Sequence, residues 1–125
     1  MTNLATKKLN EKMPTTSKEI NKLAWAHTNG FFFGDVDKEV TRSKKRAFKC
    51  YLISADMGDA EGQFWTGYNY MMGRGVKKDL NKAEKYLTLA VEQGHLDAPK
   101  KLENVQLHLT LIKNMEEMRK EGWDI

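Results

Sequence analysis

Apolar residues recur along this chain at intervals of three and four, and glycines break the runs. Ile20, Leu23, Ala24 and His27 keep helical spacing behind Thr16 and Glu19, a pair with the form of a capping box. The pattern predicts a first helix from about Ser17 to about Phe33. Gly34 opens the polar stretch GDVDKEVT, and a second helix is predicted from about Ser43 to Met57, with Ala47, Tyr51, Ser54 and Ala55 on its apolar side and Gly58 as a left-handed stop. A third helix is expected over Ala60 to Met72. Gly73-Arg74-Gly75 then makes a tight loop, Asp79 stands as an N-cap, and a fourth helix runs from Leu80 to Gln93 before Gly94. Beyond Gly94 no second glycine turn follows. Val105, Leu107, Leu109 and Leu111 alternate as in a strand, but Leu102, Val105, Leu109 and Ile112 form a helical stripe among strong helix formers, so one long terminal helix is expected. At about 25 residues it would span roughly 37 Å.

Sliding the chain by 36 residues lays Ala83 on Ala47, Leu87 on Tyr51, Ala90 on Ser54 and Gly94 on Gly58. A period in the thirties with two helices per unit marks an α-solenoid. The expected fold is therefore all-α: a short solenoid of about two helix-turn-helix repeats plus a long C-terminal capping helix. Residues 1–15 are polar and rich in lysine up to Met13-Pro14, and are expected to form a mobile arm ahead of a single domain over 16–125.

Gly67, Tyr70, Gly73, Gly75, Val76, Asp79, Lys82, Ala83, Tyr86, Ala90 and Gly94 stand in an order and spacing that resembles the Sel-one-like repeat, a relative of the tetratricopeptide repeat. The first unit resembles it through Arg46, Ala47, Tyr51, Ala55 and Gly58, with Gly30 and Phe33 fitting only if one extra residue enters the loop. A third unit keeps Ala98 and Leu102, so the resemblance spans about 23–102. It implies a right-handed stack of antiparallel helix pairs whose usual role is to hold other proteins. Gly62 stands where the family has alanine and Thr66 where it has leucine, which implies looser packing of the third helix.

Composition narrows the class. With 40% hydrophobic and 30% charged residues the chain has the balance of a globular domain rather than a disordered one. Cys50 is the sole cysteine, which excludes an internal disulfide, and no apolar run approaches a membrane span or a leader segment. The expected location is cytoplasmic. A net charge of +4 biases the surface toward acidic partners without the density of a dedicated nucleic-acid binder.

The candidate chemistry is that of a binding surface. If Gly67 and Tyr70 face neighbouring helices, Trp65, Tyr68 and Met72 lie opposite, on the concave wall of the solenoid. The one-residue insertion adds Thr28, Phe31 and Phe32 to that wall, and the last helix adds Lys101, Asn104 and His108. Large aromatics on a concave wall suit a protein partner, because they bury much area at little entropic cost. A second reading stands beside it, in which the terminal helix folds back over Trp65 and Tyr68 and makes them core.

The basic stretch with Arg42, Lys45, Arg46 and Lys49 reads as a solvated face or as a phosphate-contacting patch. Asp35, Asp37 and Glu39 lack the glycine and terminal glutamate of a calcium loop. His27, His95 and His108 have no paired metal spacing, and Cys50 occupies a packing position. Phosphate loops, nucleotide fingerprints and nucleophile elbows are all missing, so no metal, cofactor or catalytic residue is expected. The reading is a non-enzymatic module that binds a protein partner as adaptor or inhibitor, one form of which is a bacterial immunity protein neutralising a toxin. The alternative is a nucleic-acid-associated protein using the basic stretch and the N-terminal arm. Self-pairing into a homodimer is a third outcome for so short a stack.

Overall fold

The computed structural model describes residues 16–29 and 43–125. The expected arm over 1–15, Gly30, Phe31, Phe32 and Phe33, the loop carrying Asp35, Asp37 and Glu39, and Arg42 lie outside the described residues. Within them the chain forms five helices: α1 (Ser17–Asn29), α2 (Lys44–Asp56), α3 (Ala60–Met72), α4 (Leu80–Glu92) and α5 (Ala98–Lys120). Each packs chiefly on its neighbours in sequence, with slighter contact between α1 and α3 and between α3 and α5. A solenoid produces that pattern because each unit buries its apolar face only against the next.

The second helices of the two hairpins repeat closely. The Ser43 hydroxyl accepts from the Arg46 amide, and the Asp79 carboxylate accepts from the Lys82 amide, so α2 and α4 begin with the same cap. They end alike as well. The amide of Gly58 donates to the Ala55 carbonyl and that of Asp59 to Ser54, while Gly94 donates to Val91 and His95 to Ala90. This is the Schellman arrangement, and Gly58 and Gly94 hold φ at 87° and 81° to make it. Ala47, Tyr51 and Ser54 are buried, as are their counterparts Ala83, Leu87 and Ala90.

The first helices follow a different shift. The Asp79 amide donates to the Tyr70 carbonyl at 3.0 Å and the Ser43 amide to the His27 carbonyl at 2.7 Å, the same bond in both hairpins. It lays His27 on Tyr70, a shift of 43 residues against 36 for the second helices. Ala24 then falls on Gly67 and Trp25 on Tyr68, which replaces the register obtained with a single inserted residue. The extra length, seven residues, lies between α1 and α2. Both first helices span thirteen described residues, and the expected continuation of α1 to Phe33 lies outside the described residues.

The expected loosening at Gly62 is reversed. A Cβ there would stand 2.5 Å from Ser54 Oγ and 2.6 Å from the Ala55 backbone nitrogen. Helices α2 and α3 therefore cross so closely that only glycine fits. Asp59, the N-cap of α3, secures this crossing. Its carboxylate accepts from the Gly62 amide (2.9 Å), Asn21 Nδ2 (2.7 Å), Ser17 Oγ (3.1 Å) and Ser54 Oγ (3.4 Å), and so ties α1, α2 and α3 together. Burial alone would raise the Asp59 carboxyl, but the bonds from Gly62, Asn21, Ser17 and Ser54 outweigh it and hold the group below its ordinary value.

The core runs from Phe48 through Phe64, Tyr70, Ala83, Leu87 and Ala90 to Ala98 and Val105. Helix α5 has 23 residues, roughly 34 Å. Its first half covers α4 through Ala98, Leu102, Val105 and Leu109, while Leu107, Leu111 and Ile112 stay exposed. Among the described residues no helix is long and apolar enough to cross a membrane.

Candidate partner-binding groove

Two adjoining cavities open where α1, α2 and α3 meet the start of α5. The narrower, of about 190 Å³, is lined by Trp25 and Thr28 from α1, Lys44, Ala47 and Tyr51 from α2, Trp65 and Asn69 from α3, and Arg74 from the glycine loop. The wider, of about 510 Å³, shares Trp65 and Arg74 and continues past Phe64 and Tyr68 to Leu96, Asp97, Lys100 and Lys101. Trp65 and Arg74 line both, so the two cavities adjoin there. A polar hollow of about 730 Å³ between α4 and α5 is larger but has no aromatic lining.

Trp65 forms the ridge of the groove. Its ring stacks on Tyr51 at 5.7 Å and 24°, meets Phe64 and Tyr68 edge-on at 5.1 and 5.6 Å, and donates from Nε1 to Glu61 at 2.7 Å. These contacts fix its rotamer and leave it half-buried against the core. The terminal helix does not fold over it. Instead Lys101 sets its ammonium 5.4 Å from the Tyr68 ring, and His95 stacks on Phe64 at 4.4 Å while meeting Glu61 at 2.8 Å. Burial pushes the Tyr51 phenol up to about 12, with Glu61 and Cys50 adding to the rise and Arg74 opposing it. Its hydroxyl therefore remains a donor at neutral pH. The Cys50 thiol is raised by burial, which suits packing rather than nucleophilic chemistry.

Of the residues expected on the concave wall, Thr28, Trp65, Tyr68 and Lys101 come together in this groove. Met72 is 54% exposed at the end of α3 and lines neither cavity, and Asn104 and His108 lie exposed farther along α5. In the basic stretch Lys45, Arg46 and Lys49 are exposed on α2 outside the groove, whereas Lys44 enters it. Sequence reasoning missed Trp25, Tyr51, Asn69 and Arg74. Trp25 had a signal, since Leu23-Ala24 precedes it as Thr66-Gly67 precedes Tyr68, but the inserted loop shifted the register. Tyr51 reads as plain core, and the polarity of Asn69 and Arg74 becomes informative only once their neighbours are known.

Residues 20–59 and 60–95 each match the family model described as Sel1 repeat, together well over half of the chain. The partial third unit at Ala98 and Leu102 falls outside the match. No curated protein matches the sequence. Among solved structures the chain is similar to a Sel1 repeat protein from Oxalobacter formigenes, with a TM-score of 0.66 and 22% identity over 82% of this chain and 41% of that one. At that identity the likeness is one of fold, and the chain spans less than half the length of that protein.

Proposed function

Because the chain belongs to the Sel1 repeat family, whose repeats generally serve as scaffolds for protein–protein interaction, we propose that it is a non-enzymatic module holding a partner protein in the concave groove. The observation that carries this is the pair of adjoining cavities that share Trp65 as a rigid aromatic ridge. Trp65 is already locked by Tyr51, Phe64 and Glu61, so a partner that packs on it pays little additional ordering entropy. Half-buried aromatics in such a setting are where binding energy concentrates. In this role the protein acts as an adaptor, or as an inhibitor that occupies its partner's site. A bacterial immunity protein neutralising a toxin is the specific form of the second. The exposed Lys45, Arg46 and Lys49 line neither of the two aromatic cavities, so their placement among the described residues does not favour the nucleic-acid alternative.

The test is capture from native lysate at moderate salt, with wild type, Trp25→Ala and Lys49→Ala compared in parallel and nuclease added to half the samples. Trp25 is 48% exposed at the groove, so its removal should cost binding more than folding. One stoichiometric protein, retained by Lys49→Ala and lost by Trp25→Ala, is the expected result. Capture that ignores Trp25→Ala, or that disappears with nuclease, would overturn the reading. If the captured protein is a toxin, equimolar addition should abolish its activity.

A further inference from the structure

We infer that His95 is a proton-operated latch on the start of α5, and through it on the rim of the wide cavity; the latch belongs to the fold, and only its effect on binding rests on the function proposed above. The Asp97 amide donates to His95 Nδ1 at 3.2 Å. A ring nitrogen that accepts carries no proton, so the neutral imidazole has its hydrogen on Nε2, which donates to Glu61 Oε2 at 2.8 Å. The ring lies flat on Phe64, at 4.4 Å and 9°, and the side chain is only 10% exposed. Glu61 in turn accepts the Trp65 indole N–H on Oε1 at 2.7 Å. A single hydrogen-bonded chain thus runs from the aromatic ridge at Trp65 through Glu61 and His95 to the Asp97 amide.

A second proton on the ring changes this chain at one link. Nε2 is already protonated, so the added proton goes to Nδ1 and turns the acceptor that Asp97 needs into a donor. The Asp97 amide loses its bond, while the contact from Nε2–H to Glu61 becomes charge-assisted and tightens. Helix α5 has no replacement at hand. Its N-cap, Asp97, makes no side-chain capping bond, and the residue that would take the Asp97 amide in a capping box is Lys100, which cannot accept. Ala98 and Val105 are fully buried and keep the body of α5 on α4, so the release is confined to the entry behind Gly94. That entry supplies Leu96, Asp97, Lys100 and Lys101 to the wide cavity, and a partner seated there meets a different rim once the ring is charged. The charged groups around the ring are Glu61 from α3, Asp97, Lys100 and Lys101 from the start of α5, Arg74 in the same cavity lining, and the exposed Glu92 at the end of α4. As residue types, Lys, Arg, Asp and Glu hold their charge from about pH 8 to about pH 5.5, whereas histidine does not.

The experiment is an NMR titration of the isotope-labelled full chain from about pH 8 to about pH 5.5, on wild type and His95→Asn. Ring nitrogen shifts report which imidazole nitrogen holds the proton, and hydrogen exchange gives the protection factor of the Asp97 amide. At the upper end of the range the His95 proton should sit on Nε2. As the ring titrates, the Asp97 amide and the Trp65 indole N–H resonances should move with the same midpoint, and the Asp97 protection factor should fall roughly three- to tenfold, the worth of one hydrogen bond. In His95→Asn the shorter side chain still offers an acceptor but does not titrate, so both resonances should stay flat. A proton on Nδ1 at the upper end, or an Asp97 amide that keeps its shift and protection while the ring titrates, would overturn the latch. The same movement in His95→Asn would overturn it as well. Should His95→Asn fail to fold, the wild-type titration decides alone. None of these readouts involves a partner, so a failed latch leaves the groove reading standing, whereas capture that ignores Trp25→Ala overturns the groove reading and leaves the latch.

Discussion

Replacing Gly62 by alanine adds one methyl group at the crossing of α2 and α3. The new Cβ would stand 2.5 Å from Ser54 Oγ, 2.6 Å from Ala55 N and 2.7 Å from Ser54 Cβ. Carbon contacts settle at about 3.5–4.0 Å, so the helices must part by roughly 1 Å, because Ser54 Oγ can rotate but the Ala55 nitrogen is backbone. Helix propensity alone favours alanine over glycine by about 1 kcal/mol. Against that stands overpacking of about 1–3 kcal/mol. A gap of this size also forfeits part of the dispersion at every contact across the interface, and it loosens the Ser54 to Asp59 bond. The net expectation is a loss of about 1–2 kcal/mol, or roughly 5–10 °C in Tm for a domain of this size. Urea titrations followed by circular dichroism at 222 nm would measure it. Gly62→Ala in a Ser54→Ala background removes the hydroxyl clash but not the backbone one, so it should recover only part of the loss. The family pattern, with alanine here, points the other way. A Gly62→Ala protein as stable as wild type, or more so, would refute the close crossing.

Thr66 is fully buried and its hydroxyl has no hydrogen-bond partner, so Thr66→Val should leave stability unchanged or raise it by about 1 kcal/mol; a clear loss in the same titration would reveal a bond to the hydroxyl. Asp59 has a folded pKa below the unfolded value of 3.8, so its contribution is whole above that value and is lost as pH falls through the folded pKa. Melting curves from pH 7 to pH 2 should therefore show the advantage of wild type over Asp59→Asn shrinking below about pH 4, and a constant difference would count against the hub. Gly94 has open space around its missing Cβ but a φ of 81°, so Gly94→Ala should cost about 1 kcal/mol through backbone strain alone. An unchanged Tm would argue against the cap.

What was legible in the sequence was whatever local chemistry controls. The cap at Asp79, the stops at Gly58 and Gly94, and apolar periodicity placed the helices, and a self-similar period names a solenoid before any contact is known, whereas the caps at Ser43 and Asp59 came from the structure. The same logic put Trp65 and Tyr68 on the helix face opposite Gly67 and Tyr70, because opposite faces of a helix follow from its 3.6-residue turn, and left open whether the terminal helix covers them. It failed where an insertion separated two helices, since a loop of unknown length breaks the register that periodicity supplies. Trp25 was lost from the groove for that reason. It failed again at Gly62, whose meaning depends on the distance to a neighbouring backbone.

Sequence by itself thus determined the five helices, the two-repeat architecture and the face that carries the aromatics. Tertiary structure alone decided that α5 leaves Trp65 and Tyr68 open, that α2 and α3 touch without room for a methyl group, and that Arg74 and Asn69 converge beside tryptophans from two different helices. The division has a physical cause: helix starts, stops and faces are set by residues within one turn of each other, whereas a groove is set by distances between segments that are remote in the chain.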